Sequence, residues 1–225
     1  ISEQPITFDV NLQDNIAKIS YLNGLFSLPI DSADEFPIAQ EISAGANVIN
    51  INSNVLAENI NRSLFATGQD EIRPVMNGIF FDLSPESLSI VATDGHKLVR
   101  NKILNINNEV PASFILPKKP ANLLRSMLSK DGGDVTIKFD DRNAEINFGD
   151  GMIKCRLIEG RYPNYNSVIP QSNPNQLSVD RVALLSALRR VQPFANGSSN
   201  LIRFHIENGI LQLDAEDYDF SKTAT

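Results

Sequence analysis

Between Val48 and Ile158 one pattern occurs twice: a strand, a helix, then three strands. Asp94-Gly95 and Asp150-Gly151 lie 56 positions apart, and the same offset matches Ile79 with Val135 and Ile90 with Ile146. A longer period is also present. Asn23-Gly24 precedes Asp150-Gly151 by 127, Pro37 precedes Pro163 by 126, and Ser53 and Asp180, the two expected helix caps, are 127 apart. Repetition at fixed spacing constrains a fold more than any single motif, because each copy must bury its apolar face in the same way. The pattern predicts an α+β chain of repeated βαβββ units. It divides the chain into the second half of one unit (1–43), a complete double unit (44–172) and the first half of a third (173–225). The two incomplete ends have marginal cores of their own.

The segment Gly78–Arg100, GIFFDLSPESLSIVATDGHKLVR, shows how the strands are read. Ile79, Phe81 and Leu83 alternate with Phe80 and Asp82, and Leu88 and Ile90 alternate with Ser87 and Ser89, the period of half-buried strands. Ser84-Pro85-Glu86 is turn chemistry, and Asp94-Gly95 predicts a tight hairpin because Gly accepts positive φ. A third strand is expected over Lys97–Ile103. Elsewhere strands are expected at Ile1–Val10, Ile16–Tyr21, Leu25–Leu28, Val48–Ile51, Ser113–Leu116, Val135–Phe139, Ala144–Phe148, Met152–Ile158, Ile202–Ile206 and Ile210–Leu213. Helices are expected from a Ser53 cap to Phe65 (Leu56, Ile60, Leu64 inward), from Pro120 through Leu128 (Leu123, Leu124, Met127 inward) and from an Asp180 cap to Val191 (Val182, Leu185, Leu188 inward). Asp131-Gly132-Gly133 stops the second helix.

Two readings compete for Thr93–His96. Asp94 and His96 could belong to a metal or acid/base site, but one His and one carboxylate are too few ligands, and a turn with a surface histidine is favoured. The second histidine, His205, lies in another unit and Cys155 in a strand, so no nucleophile, base and metal set converges. No catalytic residue, metal ligand or cofactor is assigned.

IVATDGHKLVR, preceded by RPVMNG (Arg73–Gly78) and followed by GRYPNYNSVIP (Gly160–Pro170), resembles the β sliding clamp family of bacterial DNA polymerase III. The resemblance runs over essentially the whole chain. It implies the clamp fold, three similar domains per subunit, each with two helices under an outer antiparallel sheet layer, in a ring around duplex DNA. Such a ring is a non-enzymatic processivity factor for DNA replication, tethering a polymerase to its template. The alternative, a β-rich repeat binding module unrelated to DNA, does not account for basic helices.

Net charge is −7, which repels nucleic acid unless the cations are segregated. They are. Lys118–Lys130 carries Lys118, Lys119, Arg125 and Lys130 without an acid, and Asp180–Val191 carries Arg181, Arg189 and Arg190 against Asp180. The resemblance places this layer in the hole of the ring, with Arg62, Lys118, Lys119, Arg125, Arg189 and Arg190 facing DNA, joined by Gln69 and Arg73 from the loop GQDEIR. Phosphate contacts of this kind are sequence-independent and salt-sensitive. One cysteine excludes an internal disulfide, and no apolar run reaches membrane length, so a cytoplasmic protein without a membrane partner is expected.

The resemblance also implies a head-to-tail homodimer, through Phe26 and Leu28 at one end and Pro193 and Phe194 at the other. It further implies a cleft between the second and third domains. There, short motifs of the polymerase III catalytic subunit, the clamp loader and repair polymerases dock. The wall residues that correspond are Val75, Met76, Thr93, Gly95, His96, Lys97 and Leu98, with Pro163, Ser167 and Val168 from the connector. Lys97 stands where Arg is commoner, and Ser167 where some members have Arg.

Overall fold

The structure, a computed structural model, describes residues 4–36, 38, 40–128 and 132–225. Pro37, Lys130, Asp131 and the start of the first expected strand therefore lie outside the described residues. The chain forms two compact units, Ile1–Tyr165 and Asn166–Thr225.

In the first unit, β1 (Thr7–Asn11), β2 (Ile16–Tyr21) and β3 (Gly24–Pro29) make an antiparallel meander with no buried residue among those described. The doubled pattern follows it. One copy is β4 (Asn47–Asn52), α1 (Ser53–Leu64), β5 (Gly78–Leu83), β6 (Leu88–Thr93) and β7 (Leu98–Ile103). The other is β8 (Ala112–Pro117), α2 (Lys118–Met127), β9 (Asp134–Phe139), β10 (Asn143–Phe148) and β11 (Gly151–Arg156). Each copy gives its first strand away. The two sheets are ordered β7-β6-β5-β8 and β11-β10-β9-β4. The leading strand of each copy closes the other copy's sheet.

Both helices pack on one core shared by the two sheets, with Ile49, Leu56, Ile60, Phe81, Ile90, Leu124, Ile137 and Ile146 among its buried members. An aromatic row crosses from sheet to sheet. Phe114 stacks on Phe81 at 4.6 Å between centroids and meets Phe139 of the other sheet at 4.4 Å. Edge and offset contacts of this kind add to the area term of burial.

The register shows where the two copies differ. Leu83 faces Leu88 as Phe139 faces Ala144, and Phe81 faces Ile90 as Ile137 faces Ile146, so the 56-residue offset holds through the first hairpin of each copy. It fails at the second. Ala92–Val99 and Phe148–Gly151 are the corresponding pairs, and they enclose six and two residues. The Asp-Gly dipeptides are therefore not equivalent turns. Gly95, at φ 91, sits inside the loop Asp94–Lys97, whereas Gly151 opens β11 and the positive φ of the other turn belongs to Gly149. The first copy carries an extended hairpin where the second has a two-residue turn.

Other expectations shift by a residue or a face. The α1 cap is Asn52, whose side chain accepts from the Asn54 N–H at 3.0 Å, rather than Ser53. α2 begins at Lys118, with Pro120 still in the first turn, where its missing N–H leaves no helix bond broken. Its buried face is Pro120, Ala121 and Leu124, while Leu123 and Met127 are exposed.

The second unit holds α3 (Arg181–Val191) and a sheet of β12 (Ile202–Glu207), β13 (Ile210–Asp217) and β14 (Lys222–Ala224). Asp180 caps α3 as expected, accepting from the Ala183 N–H at 2.7 Å. Its packed residues are Leu184, Ala187, Leu188 and Val191, and Val182 and Leu185 face solvent. The core is small, with Val191, Leu213 and Ala215 buried.

Candidate partner-binding site

The extended hairpin is held by its own side chains. The Thr93 hydroxyl donates to the Lys97 carbonyl at 2.7 Å and accepts from the Gly95 N–H at 3.1 Å. Asp94 Oδ1 accepts from the N–H groups of His96 (3.0 Å) and Lys97 (2.9 Å), and Oδ2 pairs with the Lys97 ammonium. The Lys97 side chain and these N–H groups hold the Asp94 carboxyl far below the usual carboxylate range. This is an anchored turn. Among the described residues no group of three or more His, Cys, Asp or Glu could hold a metal ion. Gly95, His96 and Lys97 stay exposed, Leu98 is half-buried and Thr93 buried.

A second loop leans on this turn. Asp70 accepts from the Ile72 N–H at 2.8 Å and from Arg73 Nε at 2.8 Å, while the Asn77 amide closes the loop against the Asp70 backbone in both directions. A Cβ on Gly95 would lie 3.4 Å from the Arg73 guanidinium, so Arg73 rests over the hairpin, already neutralised by Asp70. Val75 and Met76 follow in a short 3-10 turn, Met76 buried and Val75 half-buried.

The connector block GRYPNY (Gly160–Tyr165) is fixed on the outer face of β5 by residues that the motif reading left without a role. Tyr162 stacks on Phe80 at 4.5 Å with planes 3° apart, and Tyr165 meets the same ring edge-on at 6.3 Å. The Tyr165 hydroxyl donates to Asp82 Oδ2 at 2.7 Å. Gly160 has φ +128, and a Cβ there would come within 2.8 Å of Val75 Cγ1, so both backbone and space require glycine. The clue was present in the sequence. Phe80 and Asp82 point away from the core in the alternation of β5, and two tyrosines three apart can meet them. Pro163 is thereby carried, exposed, on an anchored segment.

The structure thus brings Val75, Thr93, Gly95, His96, Lys97, Leu98 and the connector around Pro163 onto one anchored region of the first unit. Ser167 and Val168 are exposed residues of the second unit. Of the residues expected to face DNA, Lys119, Arg125, Arg189 and Arg190 are exposed, Arg62 is exposed and paired with Glu58, and Arg190 donates to Ser186. Lys118 is engaged differently: half-buried, its ammonium donates to the Gly68 carbonyl at 2.6 Å and ties α2 to the loop after α1. Phe26, Leu28 and Phe194 are 54%, 48% and 39% exposed, and Pro193 is exposed as well.

The family profile described as "DNA polymerase III beta subunit, central domain" matches residues 50–164, just over half of the chain. The chain belongs to the DNA polymerase III β-subunit family. The β sliding clamp of Synechococcus elongatus is 31% identical over 96% of this chain, and that of Pseudomonas aeruginosa 25% identical over 94%. Among solved structures, the DNA polymerase III β subunit of Pseudomonas aeruginosa superposes with TM-score 0.87 at 25% identity. It covers 97% of this chain and 60% of its own. A sliding clamp from Bartonella birtlesii bound to griselimycin gives 0.85 at 27% identity, covering 98% of this chain and 60% of its own. The α+β clamp fold that the resemblance implies is therefore the fold observed. The chain spans about 60% of the length of the β-subunit relatives it matches. No described helix is long and apolar enough to cross a membrane.

Proposed function

We propose that this chain is the central part of a DNA sliding clamp, a ring that encircles duplex DNA without reading its sequence and needs no catalytic residue. In this reading residues 1–43 end a first clamp domain, 44–172 form the second with its connector, and 173–225 begin a third. The observation that carries it is the match of residues 50–164 to the central domain of the DNA polymerase III β subunit. The charge layout supports it. The exposed cations Arg62, Lys119 and Arg125 lie on α1 and α2, the two helices that pack side by side on the central core, in a chain of net charge −7. Polymerase, clamp loader and repair polymerases bind by short apolar peptide motifs at the region of Val75, Thr93, Leu98 and Pro163, and the complete protein is a cytoplasmic homodimer. A tethered polymerase then stays at high effective concentration beside its template end.

The test is a salt titration of the complete protein on fluorescent duplexes of unrelated sequence. Equal affinities that fall steeply with salt are expected, and Arg125→Glu lowers both affinity and salt slope. Affinity that depends on sequence, or does not respond to salt, defeats the proposal.

A further inference from the structure

Tyr162 Oη is a buried side-chain oxygen that completes no hydrogen bond within the protein, the one such atom found among the described residues. The residue is 7% exposed. Its ring packs on Phe80 as a phenylalanine would, so the stack does not explain the hydroxyl. Buried polar atoms left unpaired are uncommon in native folds and call for an explanation.

The surroundings supply one. β5 and β6 stop pairing at Phe80–Val91, yet β6 runs on to Thr93, held there by β7 alone through Thr93–Leu98. On its β5 side the end of β6 has no ladder partner. The Thr93 N–H lies near enough to the Tyr162 oxygen to favour its ionised form without completing a hydrogen bond, and burial pushes the phenol up to about 12 despite it. Thr93 cannot turn its own hydroxyl to the task, because that group is committed to Lys97 and Gly95. The incomplete contact joins two walls, the hairpin that carries Leu98 and the connector that carries Pro163.

We propose that Tyr162 is a positioning residue for the partner-peptide site: its hydroxyl and the Thr93 N–H close into a hydrogen bond when an apolar peptide seats against Leu98 and Pro163, coupling peptide binding to the fixing of the hairpin end. The inference rests on the peptide reading of that region. It differs from a packing role in sign. A buried hydroxyl with no partner burdens the free fold, so its removal leaves stability unchanged or raised while weakening the bound state.

The test compares the protein with Tyr162→Phe. The probe is a fluorescein-labelled synthetic peptide ending in Leu-Phe, followed by polarisation, and Leu98→Asp reports on the site itself. Expected is an about fivefold loss of affinity in Tyr162→Phe, the worth of one neutral hydrogen bond. The thermal midpoint should not fall, and peptide-induced protection of the Thr93 amide from hydrogen exchange should be lost. If Leu98→Asp abolishes binding while Tyr162→Phe binds as before, Tyr162 has no such role and the peptide site survives. If Leu98→Asp leaves affinity unchanged, the site and this inference fall together. Equal peptide-induced protection of Thr93 in both proteins overturns the inference alone.

Discussion

Asp94 shows how one residue fixes a turn and makes it sensitive to acid. Its carboxylate collects two backbone N–H groups and the Lys97 ammonium, and all of these favour the ionised form. The folded carboxyl therefore binds a proton less readily than the carboxyl of the unfolded chain. Its contribution to stability is complete above the unfolded value of about 4 and is lost as pH falls through the lower folded value. The protection factors of the His96 and Lys97 amides, read by NMR hydrogen exchange from pH 7 downward, should stay flat to about pH 4 and then fall ahead of those of the β5–β6 amides. Asp94→Asn keeps the acceptor oxygen but not the charge, and should remove that acid step; a step that persists would assign it to another group. The sequence marked the turn but not its length. Asp-Gly suits a two-residue hairpin and a four-residue loop equally, and only the strand register separates them. The roles of Tyr162 and Tyr165 were hidden for a related reason, since an aromatic residue in a connector does not say which strand it will cover.

At the scale of elements, local patterns placed the three described α-helices and most strands and read the α1 face of Leu56, Ile60 and Leu64 correctly, yet misjudged part of the faces of α2 and α3. In α3 the rows Val182–Leu185 and Leu184–Leu188 are both apolar, and periodicity cannot choose between neighbouring rows. In α2 the same ambiguity left Leu123 and Met127 outside. What chooses is the sheet beneath, and the sheets here depend on a strand exchange that no local pattern encodes. β8 is the first strand of its copy and the last of the other copy's sheet, and its Phe114 touches Phe81 in one sheet and Phe139 in the other. Truncating Phe114 leaves a cavity where both halves meet. Phe114→Ala should cost about 3–5 kcal/mol, a lower urea midpoint with an unchanged slope. A drop confined to part of the unfolding transition would show instead that the two copies unfold separately, contrary to the shared core.

For the whole molecule, the repeat period and the three motif blocks carried the family and the fold, because both follow from spacing along the chain. Assembly does not, since an exposed apolar side chain reads the same whether it will meet solvent or another subunit. Phe26 and Phe194 are such residues. Phe26 is half-exposed on β3 and stacks on Tyr21 at 5.5 Å, and Phe194 stands in a short turn after α3, outside the buried core of its unit. Neither is needed to fill the described cores, so a charge at either position should spare the fold. If the complete protein dimerises head to tail through these residues, Phe194→Asp places a carboxylate where apolar surface must be buried, and an unpaired buried charge costs several kcal/mol. The dimer should then dissociate at least about a hundredfold more readily, from about 3 kcal/mol, with circular dichroism and thermal midpoint of the subunit little changed. Leu22→Asp is the control: Leu22 is 81% exposed and outside the assigned interface, so its change should leave the dimer intact. Sedimentation equilibrium across a dilution series reads both. A dimer equally stable in Phe194→Asp and in the parent removes Phe194 from the interface, and a Leu22→Asp variant that dissociates as readily shows a nonspecific effect of added charge.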